Sequence, residues 1–298
     1  MKEITAVLHK HAITRGVSPE KLRMILEDLG PTYIKLGQIM SLRSDILPKR
    51  YCDELMKLCS DVAPMPFDQV VDVIQDAFGC PWQEEFQSIE EKPLGSASIA
   101  QVHRAVLKSG EQVVIKVQRK GIYRTMARDI GLMHKVVRLL PPVSIKEMVD
   151  LDLVLDELWK VTQEEMNFLT EAANIEEFHR KNRDVAFVDT PVLYREYTTP
   201  HVIVMEYIDG FSIDDKENLQ ENGYDLNEVG SKLIDNFIKQ VMVDGFFHAD
   251  PHAGNIILKD GVIYFIDLGM VGRMSSHDRG IVKDMIFAVA EGDVPKLK

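Results

Sequence analysis

The sequence predicts an α+β fold in two lobes, with a helical extension in front. Three observations predict it. Residues 1–87 carry apolar positions at helical spacing, broken by Gly-Pro and capping signals. Residues 88–206 open on alternating apolar and polar positions around a Lys108-Ser109-Gly110 turn. Residues 207–298 carry an amphipathic helix that runs into a polar loop and two short strands. A chain of 298 residues can bury a large core in two lobes.

In the extension, Ser18-Pro19-Glu20 reads as a cap followed by proline at the first helical position. Leu22, Ile25 and Leu29 then make an apolar stripe, and Gly30-Pro31 ends the helix. Further helices are expected over Tyr33–Leu42 and Pro48–Leu58, and from Pro66-Phe67-Asp68 to Gly79. Three strands follow, over Ile89–Pro93, Ile99–Leu107 and Gln112–Gln118. Helical stretches over Ile122–Leu140 and Leu151–Lys181 precede two more strands, Val192–Tyr197 and Val202–Glu206. Glu206-Tyr207-Ile208-Asp209-Gly210 is either a surface turn or a hinge whose backbone groups, at Glu206 and Ile208, bind adenine. The helix Asn227–Val243 turns Leu233, Ile234, Phe237, Ile238 and Val241 inward. Short strands over Ile256–Leu258 and Val262–Ile266 flank a Lys259-Asp260-Gly261 turn.

Composition narrows the function. The net charge of −12 argues against wholesale nucleic-acid binding. The first sixty residues run the other way, with ten Lys/Arg against seven Asp/Glu, or +3. That is the pattern of a solvated helix surface, or of a basic face that meets anionic lipid. Cys52, Cys59 and Cys80 form no C-x-x-C and read as buried apolar residues in a reducing compartment. Met1 opens no signal peptide, and no uncharged apolar run reaches the roughly 18 residues of a membrane helix.

Four motifs carry chemistry. Lys116 ends Val113-Val114-Ile115-Lys116, and Asp250 and Asn255 lie in His248-Ala249-Asp250-Pro251-His252-Ala253-Gly254-Asn255. Asp267 begins Asp267-Leu268-Gly269. Singly, these are a strand-edge lysine, a turn former, a turn cap and a hairpin exit. Together, in this order and with four residues between Asp250 and Asn255, they have the layout of nucleotide-dependent phosphoryl transfer. A strand lysine holds phosphates as a point charge, and a carboxylate orients the acceptor hydroxyl and takes its proton. An amide oxygen and a second carboxylate hold Mg²⁺. His248 reads as a brace for the loop backbone.

On these residues the chain resembles the UbiB/ADCK atypical kinases, the AarF-domain proteins, over essentially its whole length. Lys35-Leu36-Gly37-Gln38 matches their K-x-G-Q motif, and Pro93 to His103 matches the alanine-rich loop that replaces a glycine-rich loop. Glu165 to Asn174 matches the E-x-D…E-A-x-N helix. The resemblance implies a protein-kinase-like bilobal fold with a K-x-G-Q extension over 1–87, a kinase-like N-lobe with inserted helices over 88–206, and a partial C-lobe over 207–298. It implies ATP and Mg²⁺ as cofactors. Asp250, Lys116 and Glu171 are then the catalytic residues, and Asn255 and Asp267 the metal ligands. Gly95, Ser96, Ala97, Ser98, Lys116, Glu206 and Ile208 line the nucleotide, and Lys35, Gln38 and Glu165 regulate. In this family the K-x-G-Q helix folds over the active site. The implied function is ATP-dependent support of isoprenoid-quinone biosynthesis or lipid homeostasis. The chain would act at the cytoplasmic side of a membrane, in contact with a lipid or quinone precursor and with membrane-bound biosynthetic enzymes.

Three positions depart from the family pattern. Asn167 stands where the aspartate of E-x-D is usual, Gly95 replaces a common loop alanine, and Ala253 a frequent proline. Only 31 residues follow Asp267, with no A-P-E segment, so the sequence reads as a fragment that is soluble without the membrane helices of longer relatives. Two other functions compete. One is a small-molecule phosphotransferase like the aminoglycoside and choline kinases, which lack the K-x-G-Q helix. The other is a nucleotide-sensing scaffold without turnover.

Overall fold

The structure is a computed structural model that describes residues 6–7, 9–11, 17–41, 44, 47–58, 63–139 and 151–291. The chain forms two compact units. One contains residues up to Asn167 together with Thr199–Ile203, and the other contains Phe168–Thr198 and the residues from Val204 onward.

The first unit begins with helices α1 (Pro19–Leu29), α2 (Pro31–Ser41), α3 (Lys49–Leu55) and α4 (Phe67–Phe78). Ser18 caps α1 by accepting from the Lys21 N–H, and Gly30 ends it with φ 99°. Gly79 ends α4 in the left-handed conformation. The sheet is β1 (Phe86–Ile89), β2 (Gly95–Ser96), β3 (Ala100–Leu107), β4 (Gln112–Gln118) and β6 (Val202–Glu206), ordered β1-β3-β4-β6 with β2 also on β3. Between β4 and β6 come α5 (Ile122–Leu139) and α6 (Leu151–Glu165). Leu26, Tyr33, Ile34, Leu55 and Leu58 pack with Ile130, Met133, Leu155 and Leu158 into one core under the extension.

The second unit begins with α7 (Phe168–Asn182) and β5 (Val188–Asp189). β7 (Phe211–Ser212), α8 (Lys216–Glu221) and α9 (Leu226–Ile238) follow, and α9 continues into a π-helical turn, Lys239–Asp244. Then come β8 (Phe246–His248), β9 (Ile256–Lys259), β10 (Val262–Phe265), β11 (Val271–Arg273) and α10 (Ser276–Glu291). The strands form a sheet β5-β10-β9-β7 and a separate pair β8-β11.

The elements differ from expectation in five places. On α9 the inward set is not Leu233, Ile234, Phe237, Ile238 and Val241, since Ile234 and Ile238 are exposed and the polar Asn236 is buried in a side-chain hydrogen-bond network. The first strand lies at Phe86–Ile89, earlier than Ile89–Pro93, because a short 3₁₀ turn at Trp82–Glu84 delivers the chain and Phe86 is fully buried. The stretch Leu151–Lys181 is two helices. The Met166 carbonyl accepts from Gln118 Nε2 at 2.7 Å, and the Asn167 N–H turns back to Glu164, so the first helix stops there. Val192–Tyr197 is not a strand. It makes one bridge, Leu193 to Met205, and then a 3₁₀ turn in which the Thr198 hydroxyl donates to the Tyr194 carbonyl. Residues 276–291 form a further helix, α10, whose apolar positions give no clear helical stripe. Cys59 lies outside the described residues.

Candidate functional site

The site residues fall into two groups, one in each unit. In the first unit, Lys116 is part-buried on β4, in register with Val102 across the β3–β4 pairing. The loop that precedes β3 is fixed by its own hydrogen bonds. Leu94 N–H donates to Val102, and Ala97 N–H donates to Ala100. Ser96 and Ser98 are buried, and Gly95 is exposed. Arg119, three residues beyond Lys116, holds the loop from outside. Its Nε donates to the Ala97 carbonyl at 2.8 Å, and its Nη2 to Ser96 Oγ at 2.7 Å and to the Ala63 carbonyl at 2.9 Å. Burial lowers its pKa from the usual arginine value.

The segment before α4 is clamped from the sheet. Gln101 accepts from the Met65 N–H at 2.7 Å and donates to the Met65 carbonyl at 3.3 Å. The Gln101 amide also meets His103 Nε2 at 2.8 Å, while His103 Nδ1 faces the Glu90 carbonyl at 2.7 Å. A carbonyl only accepts, so Nδ1 carries the proton and Nε2 accepts from Gln101. Desolvation accordingly lowers the His103 pKa.

The K-x-G-Q motif is built into the helical extension. Lys35 Nζ lies 2.6 Å from Glu165 Oε1, with both side chains largely buried, and Gln38 Nε2 donates to the Leu58 carbonyl at 3.3 Å. The motif glycine has a packing reason. A Cβ on Gly37 would lie 2.2 Å from Leu58 Cδ1 and 2.8 Å from Leu26 Cδ1, so any side chain there would force both leucines of the core to repack. Asn167 is exposed, just beyond α6.

In the second unit, β8 ends at His248 and delivers the loop that carries Asp250. His248 is fully buried, and its Nδ1 accepts from the Asp250 N–H at 3.1 Å. Nε2 therefore carries the proton, and burial keeps the ring neutral by lowering its pKa. Asn255 closes the loop, with Nδ2 donating to the Asp250 carbonyl at 3.1 Å. The Asp250 carboxylate is exposed and lies 3.7 Å from His252 Nε2.

The Asp267 segment is zipped to that loop. Ile266 N–H donates to the Asn255 carbonyl, and Ala249 N–H to the Met270 carbonyl. Asp267 Oδ1 accepts from the Gly269 N–H at 2.9 Å. A Cβ on Gly269 would crowd Asp267 Oδ1 at 3.1 Å and would touch Glu171 Oε2 at 3.8 Å, so both carboxylates face the same glycine. Glu171 is buried in the first turn of α7, and Asn174, one turn on, donates to the Leu268 carbonyl at 3.0 Å. Glu171, Asp250, Asn255 and Asp267 are thus gathered within one unit. Glu206 ends β6, where its N–H and Oε2 contact the backbone of Val192, and Ile208 is buried.

The donor set suits a hard cation. The Asn255 NH₂ is engaged, which turns its oxygen the other way, and Asp267 is oriented by the Gly269 N–H. Among the described residues no group of three or more His, Cys, Asp or Glu has metal-holding geometry. Mg²⁺ needs no such group, since it takes one or two protein oxygens and fills its shell with water and substrate phosphates. Sequence reasoning missed Arg119, Gln101 and the polar side chains behind His248. Their only signal is polar residues at positions whose neighbours are apolar.

The ABC1 atypical kinase-like domain matches residues 57–298. The chain is 41% identical over 280 residues to the "Uncharacterized protein in hydrogenase 1 5'region" of Clostridium pasteurianum, covering 94% of this chain and 53% of that protein. It is 35% identical over 286 residues to "Probable protein kinase UbiB" of Azotobacter vinelandii, covering 93% and 53%. It is 35% identical over 303 residues to "Protein ACTIVITY OF BC1 COMPLEX KINASE 8, chloroplastic" of Arabidopsis thaliana, covering 100% and 39%. The chain spans about half the length of such relatives, or less. Among solved structures, Rv3197 of Mycobacterium tuberculosis in complex with erythromycin superposes with a TM-score of 0.61 at 27% identity, covering 100% of this chain and 75% of that one. The protein therefore belongs to the ABC1 (UbiB/ADCK) atypical kinase-like family, and its fold is kinase-like.

Proposed function

We propose that the chain binds ATP with Mg²⁺ and transfers the γ-phosphoryl group to water or to a small lipid-like acceptor. The role would be to support isoprenoid-quinone (ubiquinone or menaquinone) biosynthesis or lipid homeostasis at a membrane. One observation carries the reading. Three separate segments, carrying Glu171, Asp250 with Asn255, and Asp267, are tied together by backbone hydrogen bonds between the two polar loops and by the Asn174 side chain on the Leu268 carbonyl. Packing alone gives no reason to converge carboxylates and an amide in this way.

In this reading Lys116 and the loop Gly95–Ser98 hold the phosphates, and backbone groups at Glu206 and Ile208 meet the base. Asn255 and Asp267 hold Mg²⁺, which when bound neutralises phosphate oxygens. Glu171 is the buried helix glutamate that the family pattern assigns to the site. Asp250 orients the acceptor. As the acceptor oxygen bonds to the γ-phosphorus and the bond to the ADP oxygen breaks, the acceptor proton passes to Asp250. The Lys35–Glu165 ion pair and Gln38 hold the K-x-G-Q helix in a regulatory position. Lipid, a quinone precursor and membrane-bound enzymes are the proposed partners. Among the described residues no helix is long and apolar enough to cross a membrane.

The test is Mg²⁺-dependent ATP hydrolysis with and without anionic liposomes, for this chain and for Asp267→Asn. Turnover that rises with liposomes and disappears in the variant is expected. Transfer to an aminoglycoside or amino-alcohol with no lipid effect would replace this reading with a small-molecule phosphotransferase. Nucleotide binding without turnover, in a chain extended to the length of its relatives, would leave a scaffold.

A further inference from the structure

A line of buried amides runs behind the Asp250 loop and ends on its backbone. It starts at the C-terminal end of α7, where Asn182 Nδ2 donates to the Phe178 carbonyl at 3.0 Å. Asn236 Nδ2, on α9, donates to Asn182 Oδ1 at 2.8 Å. Gln240 Nε2, in the π-helical turn, donates to Asn236 Oδ1 at 2.7 Å. Gln240 Oε1 then accepts from the His248 N–H at 3.0 Å, and His248 Nδ1 accepts from the Asp250 N–H. Asn182, Asn236, Gln240 and His248 are 3%, 2%, 0% and 0% exposed, so no water competes for these groups.

The direction of the line is forced. The Phe178 carbonyl can only accept and the His248 N–H can only donate. Three amides between those ends have one consistent orientation, each with its oxygen toward strand β8. The same helix α7 is tied to the Asp267 segment through Asn174, and it carries Glu171 beside Gly269. One rigid helix is thus bonded to both loops, at Leu268 on one side and, through three side chains, at His248 on the other.

We infer that Asn182, Asn236 and Gln240 are positioning residues that fix the Asp250 loop relative to the helix bearing Glu171. This rests on the phosphoryl-transfer reading for its consequence in turnover, but not for its geometry. Three buried amides are a costly way to fill a core, since each left half-satisfied is destabilising. An apolar side chain at each position would serve packing equally well. What the amides supply in addition is a fixed distance from α7 to the His248 N–H.

Asn236→Asp keeps the shape but replaces the donor toward Asn182 Oδ1 with an acceptor, and Gln240→Met keeps the volume but removes the acceptor of the His248 N–H. In both, hydrogen exchange at the His248 and Asp250 amides should speed up at least tenfold in the nucleotide-free protein. Turnover per folded molecule should fall about tenfold, while Mg-ATP affinity stays within twofold of the parent. Amide exchange and turnover that stay at parental values, with only the unfolding midpoint lowered, would reduce the line to core packing and overturn the inference. Where the parent itself shows no turnover, the failure belongs to the proposed activity, and the exchange at His248 and Asp250 decides the positioning role.

Discussion

Lys116, Asp250, Asn255 and Asp267 stand out in the sequence because the chemistry proposed for them depends on residue type and spacing, and both are visible in a string of letters. A point charge on a strand, a carboxylate in a tight loop and an amide five residues later need no tertiary information to be noticed. Arg119 and Gln240 were not legible for the opposite reason. An arginine that donates to two carbonyls and a hydroxyl, or a glutamine that accepts from one backbone N–H, has meaning only once those partners are in place. For Lys116 the expected outcome of substitution is specific. Lys116→Met should weaken Mg-ATP binding about 10- to 100-fold, the loss of one charge-assisted contact to phosphate, with the unfolding midpoint nearly unchanged. Isothermal titration with Mg-ATP checks this. Unchanged affinity would remove Lys116 from the nucleotide site.

At the scale of elements, periodicity located the helices of the extension and the β3–β4 hairpin, whose partner β4 spans Gln112–Gln118 as expected. It failed where a side chain from elsewhere decides the outcome. No pattern in 151–181 marks the stop at Met166, because Gln118 imposes it from another element. The helix at 276–291 did have a signal. Ser275 and Asp278 form a reciprocal cap, Ser275 Oγ accepting from the Asp278 N–H and Asp278 Oδ2 accepting from the Ser275 N–H. The loop at Gly95–Ser98 is likewise governed from outside, since Arg119 ties it to Ala63 ahead of α4. Arg119→Met should therefore loosen both segments together. Hydrogen exchange in peptides covering residues 63–67 and 93–99 should rise several-fold in both, and Arg119→Lys, which cannot span all three acceptors, should restore only part of the protection. A rise in one segment alone would show that the two are not coupled.

At the scale of the whole molecule, each unit holds one buried histidine kept neutral by its surroundings, His103 in the first and His248 in the second. Protonation would set N–H against N–H, at Gln101 in one case and at the Asp250 amide in the other. Burial depresses both folded-state pKa values. Below the unfolded value of about 6.5, the unfolded chain binds protons that the folded chain does not. Stability is then complete above that pH and declines as the pH falls below it, by up to about 1.4 kcal/mol per pH unit for each such proton. Urea unfolding at pH 7.5 and pH 5.5 should show the midpoint falling in acid, and a midpoint that holds constant would mean that neither ring stays neutral. The kinase-like architecture as a whole was legible because its motifs are strung in a fixed order. The division at Asn167 was not, because it falls inside a continuous run of helical spacing.

The π-helical turn at Lys239–Asp244 makes chain length itself a carrier of information. A turn closed by i→i+5 bonds holds one residue more than an α-helix would use. Removing one residue there would let the helix run on regularly to Gly245, a change that helix propensity alone would welcome. The tighter helix would carry the Gln240 side chain round its axis, away from the His248 N–H from which it accepts. The His248 N–H would then be buried without its acceptor. Variation among relatives should accordingly tolerate many side chains on the outer face of this segment and almost no change in its count, the reverse of what is expected at the Lys108-Ser109-Gly110 turn, where length can drift and the fold is indifferent.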